Sequence, residues 1–82
     1  MGRFQDQTVV ITGGGGGIGG ATCRRFAGEG ARVAVLDLDP DAAGRVAAQI
    51  RAEGGSAEAI RCDITDRASV DAAVSATESK LG

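Results

Sequence analysis

Two hydrophobic periodicities alternate along this chain. Thr8-Val9-Val10-Ile11-Thr12 is an unbroken, largely β-branched run that stops at a tract of glycines, the pattern of a short strand buried on both faces. From about Ile18 the spacing turns helical: Ile18, Thr22 and Phe26 fall on one line, Arg24 and Arg25 point elsewhere, and Gly28 with Gly30 closes the segment. Ala31 to Leu38 (ARVAVLDL) is a second apolar run of strand length. Asp39-Pro40 then supplies an N-cap followed by proline at the first helical position. In the helix that begins there, Ala43, Val46, Ala47 and Ile50 form one apolar stripe, Arg45, Gln49, Arg51 and Glu53 face water, and Gly54-Gly55 ends it. Ser56 to Cys62 reads as a weaker third strand. Thr65 or Asp66 caps a third helix in which Val70, Ala73, Val74, Thr77 and Leu81 share a face.

The order is therefore βαβαβα, which implies an α/β fold with a parallel sheet and right-handed crossovers. The apolar residues are mostly Ala, Val and Ile, with Phe4 and Phe26 as the aromatics, a composition suited to thin, closely packed layers. At 82 residues the chain falls short of a typical domain of about 100–150 residues. Its last helix should lead into a fourth strand. In a doubly wound, Rossmann-like sheet the first strand is central and needs a neighbour on its far side. The expectation is thus that residues 1–82 are the N-terminal portion of such a fold, with a catalytic portion lying outside it.

Charge narrows the partners. The net charge is −2, acids and bases are interspersed, and no basic stripe of the kind that nucleic acid or anionic lipid requires is present. No apolar stretch approaches the roughly 20 residues of a membrane span, and MGRFQDQ at the N-terminus lacks the apolar core of a signal peptide, so a cytoplasmic protein is expected. Cys23 and Cys62 lie in different elements and the chain has no histidine, which points to buried free thiols and not to a metal site.

Chemistry concentrates in TGGGGGIGG, at the junction of the first strand and helix. Pyrophosphate binds where the backbone can come close to the phosphates and a helix N-terminus aims its free N–H groups at them. A pentaglycine run meets this demand, but matches GxGxxG in more than one register, for example Gly14-Gly16-Gly19 or Gly15-Gly17-Gly20. Asp37, at the end of the second strand and about 20 residues past the loop, is placed to accept hydrogen bonds from the hydroxyls of an adenosine ribose. A 2′-phosphate would be repelled there. No Lys or Arg lies in the loop or just after Asp37, which favours NAD(H) over NADP(H). No Gly-Lys-Ser/Thr closes the loop, and this excludes the nucleotide triphosphatases. An adenosylmethionine-dependent methyltransferase would share the loop and the acid, and stays open as a rival.

At these residues the chain resembles the short-chain dehydrogenase/reductase family, whose Thr-Gly-x-x-x-Gly-x-Gly fingerprint is met by Thr12, Gly13, Gly17 and Gly19, with Ile18 between the last two. The resemblance fixes the register. It also matches Cys62-Asp63-Ile64-Thr65 to a motif in which the aspartate meets the adenine amino group and the next residue lines the adenine pocket; from chemistry alone Asp63 could equally cap the third helix. Gly15 and Gly16 in the loop and Leu38 beside Asp37 complete the candidate cofactor-binding set. The resemblance implies an NAD-dependent oxidoreductase interconverting a secondary alcohol and a ketone. ITGGGGGIGGATCRRFA and EAIRCDITDRASVDAAV further resemble members acting on a hydroxyacyl-CoA. It implies a homotetramer as well. The family's catalytic serine and Tyr-x-x-x-Lys pair would lie beyond Gly82: the chain has no tyrosine, and its one lysine, Lys80, is not in that motif. The 82 residues alone are therefore expected to be inactive. The alternative is a non-enzymatic NAD-binding module.

Overall fold

The computed structural model describes residues 4–82, so the first three residues of the MGRFQDQ segment lie outside the described part. Six elements follow one another: β1 (Thr8–Thr12), α1 (Gly17–Gly28), β2 (Arg32–Asp37), α2 (Pro40–Ala52), β3 (Ser56–Arg61) and α3 (Arg67–Leu81). The strands form one parallel sheet in the order β1-β2-β3, with Val10 opposite Ala34 and Ala34 opposite Glu58. This is the Rossmann-like βαβαβα arrangement that the alternating periodicities imply.

β2 is paired on both edges and covered on both faces, and Val33, Ala34, Val35 and Leu36 are all buried. Alternate side chains of the sheet point to opposite faces. Val33 and Val35 therefore join Cys23 of α1 and the stripe Ala43, Val46, Ala47 and Ile50 of α2 in one core, while Ala34 and Leu36 join Ala73 of α3 and Cys62 in a second. Full burial of a valine or isoleucine side chain stabilises by roughly 1.5–3 kcal/mol, so the first core, which holds Ile50, Val33 and Val35, carries most of the packing energy. The alanines at positions 43, 47 and 57 let the helices lie close to the sheet. Both cysteines are buried and free.

Three details differ from the sequence reading. β1 is not buried on both faces: Val10 and Thr12 are exposed, because β1 is the edge of the three-stranded sheet and α3, on Val10's face, packs over β2 and β3. The buried line of α1 runs through Gly20 and Cys23, and Ile18 is 88% exposed. At about 100° per residue, Ile18 stands about 200° around the helix from Gly20, on the side away from the sheet. Of the apolar face expected for α3, Ala73 and Thr77 are buried whereas Val74 is 45% exposed, one step around the helix from Ala73. The third helix is capped by Asp66, whose side chain accepts from the Ala68 N–H.

Candidate functional site

The site is assembled at the C-terminal ends of the strands. β1 delivers the chain to Gly13, whose φ of +67° turns it into the loop, a conformation that side-chain-bearing residues rarely adopt. The Gly14 N–H then donates to the Leu36 carbonyl at 3.0 Å, tying the loop to the end of β2, and the Gly16 N–H donates to the Gly13 carbonyl at 3.2 Å. Helix α1 starts at Gly17 with Gly16 as its N-cap. No side chain caps this helix, and its first turn holds no acid. The other two helices are different: the Asp39 carboxylate accepts from the Asp41 and Ala42 N–H groups at the start of α2, and Asp66 does the same service for α3. A helix N-terminus carries about half a positive charge and several N–H groups without intrahelical partners. At α1 alone these have been left without a side-chain acceptor, beside a backbone with no side chains to obstruct an incoming anion.

Two of the loop's glycines are required by close approach to backbone. A Cβ on Gly19 would run into the Gly13 carbonyl, and one on Gly15 would meet Ala42 and the Ala43 nitrogen at 2.7–2.8 Å, so the loop is wedged between the start of α1 and the start of α2. Gly17 differs, with nothing within 4 Å of its Cβ position. Asp37, at the end of β2, is half-buried and turned towards the loop: Oδ2 accepts from the Gly15 N–H at 2.9 Å and Oδ1 from the Asp39 N–H at 2.9 Å.

Beside the loop lies a cleft of about 260 Å³ lined by Gly13, Asp37, Leu38, Cys62, Asp63, Ile64 and Thr65. That volume suits part of a ligand, since whole small-molecule sites run to about 300–1,000 Å³. Leu38 and Ile64 are 56% and 66% exposed, large apolar side chains left facing water at the cleft. The Asp63 backbone is held by its N–H donating to Ser69 Oγ at 2.9 Å. Its Oδ1 accepts from the Thr65 hydroxyl at 2.6 Å and from the Thr65 N–H at 3.0 Å. These bonds favour the ionised form, the hydroxyl more than the amide, and with a smaller contribution from the nearby Arg61 charge they hold the Asp63 carboxyl below its usual 3.8. A lowered carboxyl pKa stabilises the fold at pH above the unfolded value, and that contribution is lost as pH falls through the folded pKa. Thr65→Val removes the larger of the two bonds, so the Asp63 carboxyl is expected to titrate closer to 3.8 in the variant when followed by NMR; an unchanged titration would show that the hydroxyl does not hold it.

Residues 7–82 match the family described as short chain dehydrogenase. The chain belongs to the short-chain dehydrogenase family. It is 45% identical over 80 residues to 2,5-dichloro-2,5-cyclohexadiene-1,4-diol dehydrogenase LinX of Sphingobium indicum, covering 98% of this chain and 32% of that protein. The structure titled 7 alpha-hydroxysteroid dehydrogenase complexed with NADH and 7-oxo glycochenodeoxycholic acid superposes with a TM-score of 0.95 at 42% identity, over 98% of this chain and 31% of that one. A short chain dehydrogenase/reductase from Burkholderia phymatum in complex with NAD gives a TM-score of 0.92 at 32% identity, over all of this chain and 29% of the other. The chain thus spans about a third of the length of the relatives it matches. Membership of this family removes the methyltransferase reading.

In this short-chain dehydrogenase chain the sequence-derived residues fall into two connected groups. Gly13, Asp37, Leu38, Asp63 and Ile64 meet in the cleft. Gly15, Gly16, Gly17 and Gly19 form the loop and the first turn of α1. Thr12 is exposed at the end of β1, and Ile18 projects from the first turn of α1 without joining the cleft. Asp63 is not the cap of α3; that role is taken by Asp66. Two contributors lie outside the candidate set drawn from sequence. Thr65 lines the cleft and holds Asp63, and its spacing two residues after an aspartate is the available signal, that of an aspartate turn. Gly14 anchors the loop to β2 and is buried so closely that a Cβ would meet Val35 at 2.8 Å. Among the described residues no group of His, Cys, Asp and Glu is arranged to hold a metal ion, and no helix is long and apolar enough to cross a membrane.

Proposed function

We propose that this chain forms the adenosine and pyrophosphate half of an NAD(H) site in an oxidoreductase that interconverts a secondary alcohol and a ketone. The observation that carries the proposal is the start of α1, uncapped and glycine-lined, next to a cleft bearing Asp37, Asp63 and two exposed apolar side chains. The residues fit the group: the N–H groups of Gly17, Ile18 and Gly19 at the uncapped start of α1 would hold the pyrophosphate, with Thr12, Gly13, Gly15 and Gly16 shaping the loop that would admit it. Asp37 would accept from the ribose hydroxyls and Asp63 from the adenine amino group, and the exposed side chains of Leu38 and Ile64 would give the base an apolar lining. When bound, NAD supplies the hydride acceptor for alcohol oxidation. What this chain adds is binding and orientation.

The preference for NAD over NADP rests on charge. The cleft is lined by two carboxylates and no cation. At about 4 Å, a phosphate charge and a carboxylate repel by roughly 4 kcal/mol at an effective dielectric constant near 20, and a 2′-phosphate carries more than one charge. Relatives named for a diol and for a hydroxysteroid support an alcohol substrate. The narrower substrate is a hydroxyacyl-CoA, carried by the resemblance of the loop and α3 segments. In this reading residues 1–82 are the cofactor-binding portion of a cytoplasmic homotetramer, and elsewhere in the whole protein a tyrosine acts as general acid or base, a lysine lowers its pKa and a serine positions the carbonyl. The test is to incubate the intact protein with NAD or NADP and a set of secondary alcohols that includes hydroxyacyl-CoA thioesters, following reduced nicotinamide by absorbance. NAD-linked oxidation of a secondary alcohol is expected, with none from the 82-residue chain alone.

A further inference from the structure

We infer that Asp37 is also a positioning residue for the phosphate-binding loop: its carboxylate latches Gly15, so that recognition of the ribose and placement of the pyrophosphate site are mechanically coupled. The inference rests on the proposed dinucleotide site and concerns how that site is built. Asp37 Oδ2 accepts from the Gly15 N–H at 2.9 Å across 22 residues of sequence, and Oδ1 accepts from the Asp39 N–H at 2.9 Å. The carboxylate therefore joins the middle of the glycine loop to the turn that leads into α2. Gly15 lies close against the start of α2, where even a Cβ would meet Ala42 and the Ala43 nitrogen at 2.7–2.8 Å, which limits its freedom to turn its N–H elsewhere. An ionised carboxylate offers about four acceptor positions, so two backbone bonds leave capacity for the ribose hydroxyls. The loop's backbone ties include the Gly14 N–H bond to Leu36 and the Gly16 N–H bond to Gly13. Asp37 supplies a side-chain tie with charge assistance, which makes it a stronger bond than the 3.9 Å contact from the Cys23 thiol to the Gly14 carbonyl.

A consequence separates this from simple ribose contact. If Asp37 only touched the ribose, removing it would not weaken a ligand that lacks ribose hydroxyls; removing a negative charge near a diphosphate would if anything strengthen it. If Asp37 latches the loop, the same removal weakens that ligand, because the loop N–H groups lose their fixed arrangement.

The probe is 2′,3′-dideoxyadenosine diphosphate, compared with ADP by calorimetry on the intact protein and its Asp37→Ala variant. The latch predicts that the variant binds the dideoxy probe roughly tenfold more weakly than the wild type, the size expected for a lost hydrogen bond to a charged group. Equal or tighter binding of the dideoxy probe by the variant overturns it. Amide hydrogen exchange at Gly15 gives a readout that needs no ligand: the amide is protected in the wild type and loses that protection in Asp37→Ala, and an unprotected wild-type Gly15 amide overturns the latch. Should Asp37→Ala fail to fold, Asp37→Asn replaces it, since its single carbonyl can satisfy one of the two backbone donors but presents an NH₂ to the other. Failure of the wild type to bind ADP at all would count against the dinucleotide site instead, and the exchange measurement would still decide the latch.

Discussion

Replacing Gly19 with alanine is expected to lower the stability of the intact protein by about 1–3 kcal/mol, the usual cost of forcing a group into a filled space, and to abolish dinucleotide binding. The reason is local. The added Cβ falls on the Gly13 carbonyl, which is backbone and so has no rotamer into which it can retreat. Gly13 is also the pivot of the loop, at φ +67°, and its carbonyl accepts the Gly16 N–H, so the displacement passes directly to the residue that caps α1. Alanine is otherwise the better helix former by roughly 0.8–1 kcal/mol, and a stabilised variant would therefore mean that the loop yields without cost. Urea denaturation with NAD titration on the same samples measures both effects, and a midpoint at or above that of the wild type contradicts the packing argument.

Gly17→Val should give the opposite combination: stability within about 0.5 kcal/mol of the wild type, as for a surface substitution, and loss of NAD binding by two orders of magnitude or more. Nothing lies within 4 Å of the Gly17 Cβ position, and its φ is outside the left-handed region, so the fold does not demand glycine there. The demand comes from the ligand. Gly17 opens α1, whose N–H groups have no side-chain acceptor, and an isopropyl group at that point stands where phosphate oxygens must approach the backbone. The two variants together separate a glycine kept for packing from a glycine kept for binding. Retained affinity in Gly17→Val would place the anion elsewhere.

The pattern of the chain made α2 and β2 fully legible. The stripe Ala43, Val46, Ala47 and Ile50 is buried as the 3.6-residue spacing implies, and within ARVAVLDL the residues Val33 to Leu36 are buried because β2 has partners on both edges and helices on both faces. β1 was misjudged for a physical reason: a β-branched run records the cover a strand is built to have, and β1 stands at the edge among the described residues, so Val10 is open. Ile18 shows the same limit, since helical spacing with Thr22 and Phe26 does not say which side of the helix meets the sheet; Gly20 and Cys23 decide it by packing on Val46 and Val35 neighbours. At the site, the place of Asp37 after the second strand and the family resemblance for Asp63 and Ile64 named residues that the fold brings together with Leu38 in one cleft at the ends of adjacent strands. The hydrogen bond from Gly15 to Asp37 was not legible, because it depends on side-chain direction after folding and not on spacing, whereas the pair from Thr65 to Asp63 left only the weak signal of an aspartate turn.

The central claim is that the cleft beside α1 accepts an adenosine diphosphate whose ribose carries free hydroxyls. Parallel calorimetric titration of the intact protein with NAD and NADP tests it most directly. The two carboxylates of the cleft predict NAD binding at least about 100-fold tighter than NADP, a difference of about 2.7 kcal/mol. Equal affinities, or tighter binding of NADP, would contradict the account.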